Sequence, residues 1–200
     1  MAEAEIVEDR TREDAGVARL VAGLRAAEPE ACAEFCQRYG PRVHRFLGLR
    51  LRGDAALAEE LMVQVLADAV RGISRFDPQR ASLLAWLFGI ARRQVLGELR
   101  RRGRRKSVPE SAQTPLALLS EASLSEDPTE ALAAQIAARQ QVAALRAALS
   151  ELEMEVLLLH GLHGLSVEEI GQVVGRSERA INSMLYRARR KARERLGGDE

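Results

Sequence analysis

Arginine is the residue type whose placement in this chain points to chemistry. The stretch "LSVEEIGQVVGRSERAINSMLYRARRKARERL", Leu165 to Leu196, ends in a run of arginines spaced along a helical pattern. A guanidinium is planar, permanently charged and carries a fork of donors, which suits phosphate oxygens and the guanine edge. Lysine occurs only at positions 106 and 191, so nearly all the positive charge is of this kind. A second basic block, "ELRRRGRRK", runs from Glu98 to Lys106, and Glu110, Glu121, Glu126, Asp127 and Glu130 lie between the two blocks. The formal net charge is only +1. Two separated basic clusters on a near-neutral chain suggest two contact points on one anionic partner. For either block alone, a solvated helix face is the plain alternative.

The elements that must position these arginines are helical. Within 165–196 the first short helix is predicted to bury Val167, Ile170, Val173 and Val174, "GRS" turns the chain, and Ser177 caps the next helix. There Ile181, Leu185, Ala188, Ala192 and Leu196 form one apolar stripe at helical spacing. Arg179, Ser183, Tyr186 and Arg190 fall on the opposite face, with Asn182 and Arg187 on its flanks. Two helices, a Gly-bearing turn and a second helix with one buried and one basic face make a helix-turn-helix. Its second helix enters a major groove N-terminus first. Ser177, Glu178, Arg179, Asn182 and Ser183 would approach base edges, while Arg187, Arg189, Arg190 and Arg193 favour phosphates. The competing reading is a solvated αα-hairpin in a structural bundle, but a solvated face usually mixes both signs of charge.

Helical period governs the rest of the chain as well. Residues 14–27 carry Val17, Leu20, Val21 and Leu24; a second helix opens at Pro29; Asp54 caps a third, striped by Ala58, Met62, Val65, Ala69 and Ile73. "RFDPQRAS" breaks the pattern. Ser82 then caps a long helix striped by Leu84, Phe88, Ala91, Val95 and Leu99, which ends in the first basic block. Residues 107–128, rich in Pro and Ser, read as a linker. Helix resumes near Thr129, and "SELE" and "SVEE" both fit the capping box. The expected fold is all-α, with two helical domains joined by a flexible linker. Its parts are an acidic tail at 1–13, a helical bundle at 14–106, the linker at 107–128 and a helix-turn-helix domain at 129–200.

Composition excludes several functions. No apolar run approaches the roughly 20 residues of a bilayer span, and "MAEAEIVEDR" is not a secretory signal, so the default is a cytoplasmic protein without membrane insertion. Cys32 and Cys36, with His44 nearby, lack the paired-ligand spacing of a structural zinc site; they are expected to be buried thiols, and no metal or cofactor is expected. His160 and His163 read as turn residues. There is no phosphate-binding glycine loop, nucleophile triad or metal-spaced carboxylate cluster. Acidic residues are expected mainly at caps and on helix surfaces. The chain is not expected to be an enzyme.

At this point a resemblance emerges. "LSELEMEVLLLHGLHGLSVEEIGQVVGRSERAINSMLYRARRKARERL" resembles the C-terminal domain of bacterial RNA polymerase sigma factors of the extracytoplasmic-function (ECF) type. "AEELMVQVLADAV" resembles the polymerase-binding helix of the same family, and "RFDPQRASLLAWLFGIARR" with "LRRRGRR" resembles its promoter-melting helix. The likeness spans about residues 28–196 in the family order. It implies a specificity subunit without chemistry of its own. Core RNA polymerase and promoter DNA would be its partners, with an anti-sigma factor as an optional third.

The resemblance implies polymerase binding through Glu59, Glu60, Val63 and Gln64. Minus-ten DNA would fall to Trp86, Arg92, Arg93, Arg100 and Arg101. The minus-thirty-five element would be read by Ser177, Glu178, Arg179, Asn182, Ser183, Tyr186, Arg187 and Arg190. Trp86 has two readings, stacking on DNA or packing on a neighbouring helix, with packing favoured. The chain departs from the family at Glu60, Val63 and Gln64, at Leu83, at Arg93 and at Asn182 and Met184, so promoter sequence does not carry over. Two rivals stay open: a helix-turn-helix regulator acting without polymerase, and a degenerate sigma-like adaptor or decoy.

Overall fold

The computed structural model describes residues 15–104 and 128–196, with backbone only at 103–104 and 128–137. The acidic tail and all of the expected linker but Pro128 lie outside these residues. Eight α-helices and a short 3-10 turn, with no strand, make up the described chain. The first half holds α1 (15–25), α2 (Pro29–Arg50), α3 (Ala55–Gly72) and α4 (Leu83–Arg104); the second holds α5 (Pro128–Ala148), α6 (Glu151–Gly161), α7 (Val167–Val174) and α8 (Glu178–Leu196).

The sequence signals set these boundaries. Pro29 opens α2, where its missing N–H costs nothing. The Asp54 carboxylate accepts from the Leu57 N–H at 3.2 Å and caps α3. Ser82 accepts from the Ala85 N–H at 3.2 Å and caps α4. Both capping boxes form, at Ser150 with Glu153 and at Ser166 with Glu169. Gly175 ends α7 in the left-handed region at φ 70°, where a side chain would be strained. Gly171 is needed for a different reason: a Cβ there would lie 2.7 Å from the Arg176 carbonyl oxygen. That close approach lets the turn between α7 and α8 fold back tightly.

The core of the first half joins Leu20, Val21 and Leu24 of α1, Phe35, Val43, Phe46 and Leu47 of α2, Leu61, Val65 and Ala69 of α3, and Leu83, Leu87, Phe88, Ala91 and Val95 of α4. The predicted α4 stripe needs two corrections. Leu99 is 38% exposed, while Leu83 and Leu87 are buried. The reason is that α4 packs against α2 and α3 and also against α7, so its buried face is wider than one stripe at its N-terminal end.

Through that α4–α7 contact the two halves share one core. Val156, Leu159, Leu165, Ile170, Val174, Ile181 and Leu185 of the second half join the core cluster of the first. His163 is no simple turn residue either: its ring lies 4.5 Å from Phe88 and 6.2 Å from Phe46. Burial, and then Arg45 and Arg42, hold its pKa down at about 4, so it packs there as a neutral ring. The thiols also differ from expectation, since Cys36 is exposed and Cys32 only partly buried. Among the described residues no three His, Cys, Asp or Glu side chains converge as a metal site would require, and no helix is long and apolar enough to cross a membrane.

Candidate nucleic-acid interface

α8 stands on the rest of the second half by a buried ridge of Ile181, Leu185 and Ala188. Its start is capped by Ser177, whose hydroxyl accepts from the Ala180 N–H at 3.4 Å. Glu178, Arg179, Asn182, Ser183, Tyr186, Arg187 and Arg190 are all exposed, so the structure gathers the predicted reading face on one side of one helix. Tyr186 is 66% exposed, unusual for an aromatic side chain with no contact to fill, and suited to a surface that meets a partner. The Ser183 hydroxyl donates to the Arg179 carbonyl at 2.9 Å, a back-bond that leaves its lone pairs free to accept.

The rotation of α8 is fixed from below by Glu153 of α6. Its carboxylate accepts from Lys191 Nζ at 2.9 and 3.0 Å and lies 3.7 Å from Arg187 Nε. The Lys191 hydrogen bonds lead, burial opposes, and Ser150 adds support; together they hold its pKa down at about 2. One buried carboxylate therefore closes a capping box and pins the helix above it. Further along, Arg190 pairs with Glu194 at 3.6 Å, an exposed i, i+4 contact that a phosphate can readily replace.

The second basic surface is built differently. A cleft of about 700 Å³ opens between α3 and α4, lined by Asp68, Arg71, Gly72, Arg75, Trp86, Ile90, Arg93 and Gln94. Trp86 packs on Phe76 at 5.4 Å between ring centroids, and its ring edge lies against Gly72. It is also half-buried and contributes to the cleft wall. Packing is thus observed, and one part of the ring still faces the cleft. Gln94 donates to Asp68 at 2.7 Å and Arg71 pairs with the same carboxylate, which fixes the cleft's far side.

The predicted minus-ten residues do not all converge here. Trp86 and Arg93 share the cleft. Arg100 and Arg101 are exposed further along α4, with Arg101 paired to Glu98 at 2.6 Å. Arg92 points another way, with Nε 3.0 Å from Glu155 of α6. Arg71 and Arg75 were missed from the sequence; their i, i+4 spacing across the end of α3 and the 3-10 turn after it, just before "FDP", was the available signal. Also missed were the burial of Glu153, expected only as a capping-box member and 7% exposed, and that of Glu155, 1% exposed. Glu155 departs from the expectation that acidic residues lie mainly at caps and surfaces, since arginines from two other helices compensate it, whereas Glu153 fills its expected cap and is buried as well.

On α3, Glu59, Glu60 and Val63 are exposed and Gln64 is partly so. Val63 is 62% exposed, and Gln64 donates to Glu60 at 3.0 Å. An apolar side chain ringed by polar ones on a bare helix face has the composition of a protein contact.

An all-helical protein with a helix-turn-helix in one half, an arginine-lined cleft in the other and a bare α3 face has the form of a multi-contact DNA-binding protein. Comparison with known families narrows it. Sigma-70 region 2 matches residues 35–105 and sigma-70 region 4 matches residues 139–191. The ECF RNA polymerase sigma factor BldN of Streptomyces coelicolor is 29% identical over 88% of this chain and 64% of the relative. SigE of Mycolicibacterium smegmatis, also an ECF sigma factor, is 31% identical over 87% of this chain and 64% of the relative. The chain thus spans just under two thirds of each relative's length. Among solved structures, the sigma factor RpoE in complex with the anti-sigma factor NepR from Bartonella quintana superposes with a TM-score of 0.63 at 25% identity, covering 84% of this chain and 99% of that one. The chain belongs to the ECF group of sigma-70 factors.

Proposed function

We propose that the protein is an initiation subunit in the cytoplasm that binds core RNA polymerase and directs it to promoters carrying a minus-ten and a minus-thirty-five element. The observation that carries this is the presence of both sigma regions in order on one chain, one bearing an arginine-lined cleft and the other an exposed basic helix. A regulator that binds duplex DNA alone has no need of the first.

In this reading the bundle, 14–106, and the helix-turn-helix domain, 129–200, divide the work. α3 meets polymerase through Glu59, Glu60, Val63 and Gln64. The α3–α4 cleft takes an unstacked minus-ten base between Trp86 and the arginines, because capturing splayed bases needs an aromatic wall and cations along the backbone. Arg100 and Arg101 track phosphates. α8 lies in the minus-thirty-five major groove, with Arg179, Asn182 and Ser183 toward base edges and Arg187 and Arg190 toward phosphates. Two modest contacts joined in one chain gain by effective concentration. The solved relative in complex with NepR supports an anti-sigma factor as a further partner. The protein performs no catalysis itself; polymerase supplies the chemistry.

The test is run-off transcription with core polymerase from a compatible bacterium on a pooled promoter library. Protein-dependent start sites support the proposal. Stable polymerase binding without transcripts would instead support an adaptor or decoy, and duplex binding without polymerase binding would support a free-standing regulator.

A further inference from the structure

The turn between α6 and α7 does more than reverse the chain. Gly164 takes the left-handed region at φ 70°. The His163 N–H donates to the Leu158 carbonyl at 3.2 Å, and the Leu165 N–H to the Leu159 carbonyl at 3.0 Å. These bonds fix Leu162 and His163 beside α2, where with Pro41, Arg42 and Arg45 they line a cavity of about 180 Å³. That is several times the room one water needs. The lining holds two guanidinium groups, one imidazole and no carboxylate. Neither α8 nor the α3–α4 cleft contributes to it.

We propose that this cavity is a binding site for a phosphate group, free or carried on a small organic molecule, held by Arg42 and Arg45 with the His163 ring as a third polar wall. The site does not depend on the function proposed above.

Three observations support it. The first is positive charge without a counterpart. Arg42 is exposed and makes no hydrogen bond or ion pair among the described residues, whereas Arg50, Arg92 and Arg102 each meet a carboxylate. Arg45 is engaged elsewhere as well, yet it still brings its charge to the cavity. After burial, these two arginines are what hold the His163 pKa down, and no carboxylate acts against them. A phosphate relieves that repulsion, and the planar guanidinium fork fits its oxygens.

The second observation is an unused donor. His163 Nε2 is buried and makes no hydrogen bond among the described residues. A neutral imidazole carries one N–H, and leaving it unpaired inside the protein is costly; an oxyanion in the cavity supplies the acceptor. The third is continuity. Arg42 and His163 also border a larger cavity of about 640 Å³, a size that suits a small-molecule site. Val21, Leu84 and Leu165 give it apolar walls, and Arg25 and Arg38 add positive charge. Its one acid, Glu169, is already held by the Ser166 N–H at 2.9 Å and by the Ser82 hydroxyl. A phosphate monoester therefore has a cationic seat for its head and a partly apolar space for its body.

The experiment is heteronuclear NMR of the nitrogen-labelled histidine rings in the full chain, without polymerase or DNA. The chain has three histidines, and His163→Gln identifies the signal of interest. The probes are inorganic phosphate and adenosine 5′-monophosphate, each compared with sodium chloride at matched ionic strength. The site predicts that the His163 signal moves saturably with phosphate and not with chloride. Arg42→Gln should weaken binding by about tenfold or more, the loss expected of one charge-assisted hydrogen bond. Leu162→Trp, which fills the cavity and keeps both arginines, should abolish it, and decides the matter if circular dichroism shows that Arg42→Gln has lost helix. Tighter binding of the nucleotide would assign the organic body to the larger cavity, and equal binding would assign the seat to inorganic phosphate. No saturable movement with either probe, movement matched by chloride, or unchanged affinity in both well-folded variants would overturn the site. Because polymerase and DNA are absent, this outcome is independent of any result on transcription.

Discussion

α4 and α8 are both long arginine-rich helices, and the molecule treats them in opposite ways. On α8 one carboxylate, Glu153, takes Lys191 and approaches Arg187 from beneath, while Arg179 and Arg190 stay on the open face. On α4 the arginines are shared out: Arg92 to Glu155, Arg101 to Glu98, and Arg102 to both Glu98 and Asp54 at 3.1 and 2.6 Å. Asp54, hydrogen-bonded foremost by Arg102, has its carboxyl held below the usual range. An identical residue type therefore serves as a presented ligand-binding surface on one helix and mostly as internal bracing on the other. Arginine density in a sequence does not distinguish these; only the position of the carboxylates does.

The contrast can be broken most severely at the base of α8. Ile181 is fully buried, and Ile181→Ala should cost about 2–5 kcal/mol, seen as a fall in thermal midpoint and as loss of duplex-DNA binding. An equal loss of folding with DNA binding retained would mean that α8 does not present the DNA surface. Next comes Glu153→Gln, expected to cost about 1–3 kcal/mol. Its pKa is depressed to about 2 in the folded chain, so its contribution is complete above the unfolded value near 4.5 and is lost as pH falls through about 2. Acid titration of the parent followed by circular dichroism should show that loss between these values, and the variant should lack it.

How far the sequence reached follows the same division. Helix boundaries were legible because they depend on local groups: Asp54, Ser82, Ser150 and Ser166 each cap the helix they were expected to cap. The exposed face of α8 was legible because Ile181, Leu185 and Ala188 define its opposite side by period alone. The roles of Arg92, Glu155 and His163 were not legible. Each depends on a helix from the other half, more than 60 residues away in the chain, and no periodicity reports such a contact. Arg71 and Arg75 were missed for a milder version of the same reason, since the cleft exists only once α3 and α4 pack together.

Two smaller effects sharpen the roles within α8. Arg179→Ala should alter preference at one base pair of the minus-thirty-five element by about 1–3 kcal/mol, measured by competition among single-base operator variants; equal losses on every sequence would remove it from base reading. Arg190→Ala should weaken binding almost uniformly and lower the slope of log affinity against log salt by about 1. A sequence-dependent loss there would instead make it a base contact.

The most direct test of the whole account is to repeat promoter selection with core polymerase and three proteins: the parent, Arg179→Ala and Arg93→Ala. The account predicts that the parent enriches two separated motifs, that Arg179→Ala changes only the upstream one, and that Arg93→Ala changes only the downstream one. A single motif, or both substitutions altering the same motif, would contradict the assignment of the two basic helices to two promoter elements.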